Sequence, residues 1–161
     1  MSQTMSTRRA VLAGMVGAGA VGLTSVSFPA AAEQYVDATA PYDPNNVFAR
    51  IIRGTQPADI VFDSPYALAF HDIRPRAKVH VLVIPKGPYT NVMRFNEKAS
   101  PEEKLGLLDA IDRTAHIMKV DKSGFRLICN TGHDGRQTVP HMHIHLLGGE
   151  LLNWLEPTRR T

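Results

Sequence analysis

The chain of 161 residues has a single cysteine, Cys129, and almost no net charge beyond its first 32 residues. One cysteine excludes an internal disulfide and any zinc site built from several cysteines. The 18 Lys and Arg residues outnumber the 15 Asp and Glu residues, but residues 1–32 contain Arg8, Arg9 and no acid. Setting these two aside leaves 16 bases against 15 acids, a net charge of +1. Charge therefore gives no reason to expect nucleic-acid binding.

Residues 1–32 resemble an export signal. Two arginines precede an uncharged, weakly apolar run that ends in Ala30-Ala31-Ala32, the small-x-small pattern of signal-peptide cleavage. The pair Arg8-Arg9 resembles the twin-arginine signal, although Val11 stands where phenylalanine is usual. The run is long enough for a transmembrane anchor, but its four glycines favour cleavage. The sequence thus predicts a cleaved signal, a location outside the cytoplasm and no stable membrane anchor; an unused signal would leave the protein cytoplasmic.

The rest of the chain predicts one α+β domain over residues 45–155. Residues 33–44 lack periodicity and contain two prolines, so we expect a linker, and residues 156–161 are a C-terminal tail. Asn45 or Asn46 can cap a short helix, and the capping box at residues 100–103 begins a long helix over about residues 101–119. β-type runs occupy residues 59–62, 66–72, 79–84, 125–130 and 139–147. We predict an antiparallel meander of about five strands with the long helix packed on one face.

Near the end of the chain, three histidines alternate with apolar residues over His141–Leu147, in the order HMHIHLL. Successive side chains of a strand point to opposite faces, so the imidazoles would share one face and the apolar side chains the other. We expect the core to hold the apolar face and the imidazoles to line a surface groove.

Three interpretations of this pattern compete. The histidines could be exposed strand residues without a function. They could bind a metal, because histidines two apart lie ~6.6 Å from each other along a strand and could share an ion, with His80 or His71 as a further ligand. Thirdly, a neutral imidazole can attack phosphorus without an activating metal.

The loop before the histidines favours attack on phosphorus. Residues 130–138, with the sequence NTGHDGRQT, bring backbone N–H groups, amides and a hydroxyl beside the imidazoles. Such donors suit an anion better than a metal. In the same loop, Asp134 offers the one carboxylate. The sequence therefore predicts a small phosphate-bearing substrate, with neither metal nor cofactor.

These motifs resemble the histidine triad (HIT) family, in its Hint-type nucleotide-binding branch. The resemblance covers about residues 45–155 and is strongest over Phe70–Lys86 and Gly124–Gly149. It implies the HIT fold, a homodimer, and binding of purine nucleoside monophosphates. It further implies metal-independent hydrolysis of AMP phosphoramidates or related esters through a covalent nucleotidyl-histidine. A binding module without turnover and a histidine-based metalloprotein are the alternatives.

The resemblance also implies a role for each matching residue. His143 would be the nucleophile, His145 would contact the phosphate and assist the leaving group, and His141 would position His143. His80 would lie behind the triad, and the Asp72 carboxylate would accept hydrogen bonds from the ribose hydroxyls. The other expected contacts are Phe48, Ile52, Phe70 and Ile73 around the base, and Asn130, Gln137 and Thr138 at the phosphate and the 5′ side of the ribose. From composition alone Phe48, Ile52 and Phe70 are more often core residues than pocket residues, and Asp72 could be a turn residue. Arg136 and His133 stand where the family has small residues, which leaves the substrate preference open.

Overall fold

The computed structural model describes residues 34–153. The predicted signal at 1–32, Glu33 and the tail at 156–161 lie outside these residues, as does the end of the predicted domain at 154–155. The elements in chain order are α1 (Val47–Ile52), β1 (Ile60–Asp63), β2 (Ala67–His71), β3 (Val79–Pro85), α2 (Val92–Lys98), α3 (Pro101–Ile117), β4 (Phe125–Ile128) and β5 (Ile144–Gly148). Within residues 34–153, the helices are too short or too polar to cross a membrane.

The five strands form one antiparallel sheet in the order β1-β2-β3-β5-β4. The predicted α+β class is confirmed, but a simple meander is wrong for the last two strands, because β5 lies between β3 and β4. Burial explains this order. The last three residues of β5 are buried on both faces, whereas β4 alternates between exposed and half-buried positions, as an edge strand does.

The two faces of the sheet carry different layers. On one face, Val81, Val83 and Leu146 pack with Leu107 and Ile111 of α3. On the opposite face, Phe48 of α1 packs with the buried side chains Leu68, Phe70, Leu82 and Ile84. Leu82 is the register partner of both Phe70 and His145. His145 therefore points to the face that α1 partly covers.

The long helix α3 exposes two of its leucines and buries small residues against the sheet. Leu105 and Leu108 are 67% and 63% exposed, whereas Ala110 and Ala115 are buried. A Cβ atom at Gly106 would lie 2.6 Å from the Tyr66 ring. The helix thus approaches the sheet through its small residues, which turns both leucines outward.

The predicted linker packs on the domain wherever it is described. The backbone N–H of Val36 donates to the carbonyl of Gln137 (2.7 Å), and the Asn91 amide donates to the carbonyl of Ala38 (2.8 Å). Residues 34–44 are therefore part of the folded unit, in contrast to the expectation of a free linker.

Candidate active site

A cavity of about 930 Å³ opens on the α1 side of the sheet, within the size range of small-molecule sites. One wall is apolar and includes Val47, Phe48, Ile51, Phe70 and Leu82. The polar lining side chains include Asp72, His80, Asn130, Thr138, His143 and His145. The structure thus brings most of the expected site residues together around one space.

The middle histidine, His143, has its proton position fixed by the backbone. Its Nδ1 lies 2.7 Å from the carbonyl oxygen of His141. A carbonyl can only accept, so Nδ1 carries the hydrogen and Nε2 keeps an unshared electron pair. Burial lowers the pKa of His143, and the edge of Phe48 packs against its ring with 5.2 Å between ring centroids. His143 is therefore neutral at pH 7, with its unshared electron pair on Nε2.

A second chain of hydrogen bonds fixes His145. The backbone N–H of Arg76 donates to Nδ1 of His80 (3.1 Å), so the hydrogen of neutral His80 lies on Nε2. That Nε2–H donates to Nδ1 of His145 (2.9 Å), which leaves the His145 hydrogen on its own Nε2. Burial, with His143 and His80 nearby, lowers the pKa of His145 to about 4. Neutral His145 is thus a donor at Nε2, the counterpart of the acceptor on His143.

The first histidine, His141, does not line the cavity. It is fully buried, and its Nε2 lies 2.8 Å from the carbonyl of Pro85 while its Nδ1 lies 2.7 Å from the hydroxyl of Tyr42. Burial lowers the pKa of His141 to about 4. The expectation that all three imidazoles line a groove is therefore corrected: the strand begins at Ile144, and His141 precedes it inside the protein.

Three of the four expected base-binding residues line the cavity, and the fourth, Ile52, does not. Phe48 and Phe70 form part of the wall, and Ile73 is 93% exposed at its edge. Ile51 lines the cavity in place of Ile52, which packs beside the core instead. At about 100° per residue, Val47, Ile51 and Phe48 share one side of α1, and Ile52 lies about 40° beyond Phe48, outside the cavity side.

The loop residues divide into two groups. Asn130 and Thr138 line the cavity, as expected. Gln137 is fully buried; its amide donates to the carbonyls of Thr90 (2.6 Å) and Val139 (2.8 Å), and its oxygen accepts from the N–H of Gly132 (3.0 Å). The expected phosphate contact of Gln137 is therefore corrected, because its polar atoms are engaged in holding the loop.

The charged residues that line the cavity are not the two that depart from the family pattern. His133 pairs with the exposed Asp134 at 3.1 Å, and neither His133 nor Arg136 lines the cavity. Arg74 and Arg76 do line it, although nothing in their spacing distinguished them from turn residues. The backbone N–H of Arg74 also donates to Oδ1 of Asp72 (2.7 Å) and so orients that carboxylate at the cavity.

Asp72, His80 and His145 could supply three metal ligands, because their ligand atoms lie within 4.8 Å of one another. His80 and His145 were among the suggested ligands, and Asp72 takes the place of a second histidine of the triad. His80 already accepts the Arg76 N–H at Nδ1, so its Nε2 carries a hydrogen and has no free pair for a metal. Both nitrogens of His141 are also occupied. The hydrogen bonds of the site therefore favour proton chemistry over metal binding.

The HIT domain family model matches residues 53–151. This chain belongs to the HIT family. A 13.2 kDa HIT-like protein of Azospirillum brasilense is 47% identical over 111 residues, which are 69% of this chain and 91% of that protein. A HIT family hydrolase from Clostridium thermocellum shares 36% identity with a TM-score of 0.65, over 70% of this chain and 97% of its own. A HIT family hydrolase from Legionella pneumophila shares 36% identity with a TM-score of 0.61, over 68% and 97%. The five-stranded fold is thus that of the HIT family.

Proposed function

We propose that this HIT protein is a purine nucleotide-binding hydrolase or transferase that acts on AMP phosphoramidates or related nucleotidyl esters through a covalent nucleotide on His143. The observation that carries the proposal is the hydrogen bond from Nδ1 of His143 to the His141 carbonyl. It leaves Nε2 as a nucleophile at pH 7, beside a cavity of nucleotide size. The hydrolase names of the solved relatives support this class of reaction.

In the proposed reaction, the electron pair on Nε2 of His143 forms a bond to phosphorus while the bond from phosphorus to the leaving nitrogen breaks. Anionic phosphate bound beside His145 favours its protonated form, and the Asp72 carboxylate acts in the same direction. Protonation adds a hydrogen at Nδ1 of His145, and the Nε2–H of His80 then turns to Oδ2 of Asp72, 3.4 Å away. Protonated His145 gives its Nε2 proton to the leaving nitrogen. Water then attacks phosphorus, returns a proton to His145 and releases AMP with His143 restored.

The remaining contacts of the nucleotide follow from the cavity wall. Asn130 and Thr138 would donate to the phosphate, because they line the cavity as polar side chains. Asp72 would accept from the ribose hydroxyls with its oriented carboxylate. The aromatic pair Phe48 and Phe70, whose centroids are 5.5 Å apart, would pack against the base together with the exposed Ile73.

Trapping the covalent intermediate tests the proposal. Wild-type protein quenched during turnover of an AMP phosphoramidate should gain the mass of one nucleotidyl group on the peptide that contains His143. The His143→Ala variant should gain none and should lose several orders of magnitude in kcat, as other enzymes do without their nucleophile. AMP should still bind to this variant, because the cavity wall remains. Undiminished turnover by His143→Ala would contradict the mechanism.

The same preparation separates the two alternatives. A binding module would hold AMP but release no product from the phosphoramidate. A metalloprotein, favoured by the proximity of Asp72, His80 and His145, would contain zinc by elemental analysis. It would also lose activity with a chelator and regain it with zinc, whereas the proposed enzyme would be insensitive to both.

A further inference from the structure

Tyr42 contacts the histidine triad from outside the matched domain. It lies before residues 53–151, in the segment expected to be a linker. Its hydroxyl is 2.7 Å from Nδ1 of His141, and the two rings meet edge to face with 5.6 Å between centroids. Two hydrogen bonds, from the N–H of Val36 to the Gln137 carbonyl and from the Asn91 amide to the Ala38 carbonyl, hold the preceding part of this segment on the domain.

The direction of this hydrogen bond is determined by the other side of the imidazole. Nε2 of His141 faces the carbonyl of Pro85 at 2.8 Å and must therefore carry the hydrogen. Nδ1 then has the unshared pair, so the hydroxyl of Tyr42 donates to it. Burial raises the pKa of Tyr42, which keeps that hydrogen on the phenol. Both nitrogens of a fully buried ring are thus satisfied, one by the backbone and one by Tyr42.

His141 transmits this restraint to the nucleophile through its own peptide group. Its carbonyl is the acceptor for Nδ1–H of His143. This peptide lies ahead of β5, where the described bonds are His141 N–H to Val139 (2.8 Å) and Met142 N–H to Tyr89 (2.7 Å). Because the His141 ring is hydrogen-bonded at both nitrogens, the peptide group attached to it has little freedom to rotate.

We propose that Tyr42 is a positioning residue for the reaction: through His141 it holds the carbonyl that keeps the hydrogen of His143 on Nδ1 and the electron pair on Nε2. The inference rests on the proposed role of His143 as nucleophile. Removing the hydroxyl would leave Nδ1 of His141 buried without a partner, a state that proteins avoid. The ring would then gain freedom, and so would the carbonyl that holds His143.

Tyr42→Phe tests the inference, with Thr114→Val as the matched control. Thr114 is fully buried on α3, and its hydroxyl donates to the carbonyl of Ala110 at 2.6 Å. We expect Tyr42→Phe to lower kcat for an AMP phosphoramidate about tenfold, the scale of one lost buried hydrogen bond. AMP affinity should be unchanged, because Tyr42 is not in the cavity wall. Thr114→Val also removes one buried hydroxyl, but it should leave kcat unchanged, because Thr114 does not line the cavity.

The nitrogen-15 resonances of the imidazoles give a readout that a purely structural role would not change. In the wild type, His143 should show the single tautomer with hydrogen on Nδ1, and in Tyr42→Phe a mixture of both tautomers. An unchanged kcat in Tyr42→Phe, or an equal loss of kcat in Tyr42→Phe and Thr114→Val, would overturn the inference. A wild type that does not turn over phosphoramidates would contradict the proposed function. In that case, an unchanged His143 tautomer in Tyr42→Phe would separately contradict the role of Tyr42.

Discussion

Acid should destabilise this protein through its buried histidines, and His141 allows the size of the effect to be calculated. Its pKa is about 4 in the folded protein, because burial disfavours the charged ring, against an ordinary value of about 6.5 in an unfolded chain. The unfolded chain therefore binds more protons below pH 7. The contribution of His141 to stability is present above pH 6.5 and is lost as the pH falls toward 4.

These two pKa values give a loss of about 2 kcal/mol from His141 alone between pH 8 and pH 5. His143, His145 and His80 add to it, since burial lowers their pKa values as well. We expect the free energy of unfolding, measured by urea titration at both pH values, to fall steeply in the wild type. In His141→Gln it should fall by about 2 kcal/mol less, because the amide does not titrate.

His116 supplies the control. It lies exposed on α3, and its pKa is raised by the hydrogen bond to the Asp112 carbonyl and by the Asp112 carboxylate. His116→Gln should therefore not reduce the destabilisation by acid. If His141→Gln has the same pH dependence as the wild type, His141 is not the buried neutral imidazole described above.

Four further outcomes are expected. Thr138→Ala should lower kcat about tenfold, because it removes one hydrogen-bond donor to the phosphate; a loss as large as that of His143→Ala would contradict this role. A chelator should leave turnover unchanged; inactivation reversed by zinc would identify a metalloenzyme. We propose a homodimer that uses the edge strand β4, so light scattering should give twice the monomer mass. Leu127→Asp should give monomers, while Met93→Asp, at an exposed position of α2, should not. We also propose export with cleavage after Ala32, so the intact mass of the exported protein should correspond to a chain that begins at Glu33. Replacing Arg8 and Arg9 by Lys should block transport, and continued export would indicate the general secretory route.

Capping signals in the sequence correctly predicted where two helices begin. The Asn46 side chain accepts from the N–H of Ala49 (2.9 Å) and begins α1. Ser100 and Glu103 form both hydrogen bonds of the capping box at the start of α3. These signals involve residues three apart, so the sequence contains both partners within one short window. Helix α2 was missed because it is seven residues long and buries only Phe95, although Asn91 is a capping residue.

Features that depend on distant parts of the chain could not be predicted in the same way. The position of β5 between β3 and β4 depends on burial of its two faces. The contact between Tyr42 and His141 joins residues 99 positions apart, and neither spacing nor composition signals it. The inward orientation of Gln137 likewise depends on the carbonyl of Thr90, which belongs to another part of the fold.

The sequence motif shows that three histidines are present, but hydrogen bonds to the surrounding backbone determine which ring nitrogen of each carries the hydrogen. The carbonyl of Pro85 holds the hydrogen of His141 on Nε2, and the carbonyl of His141 holds that of His143 on Nδ1. The N–H of Arg76 acts through His80 to hold the hydrogen of His145 on Nε2. The three imidazoles therefore differ in what they offer. His141 is buried and hydrogen-bonded at both nitrogens, His143 has an electron pair at Nε2, and His145 has a hydrogen at Nε2. Each of these hydrogen positions depends on a peptide group, which residues of every type possess. The tautomers of the three histidines are therefore determined by the fold around the motif as much as by the motif.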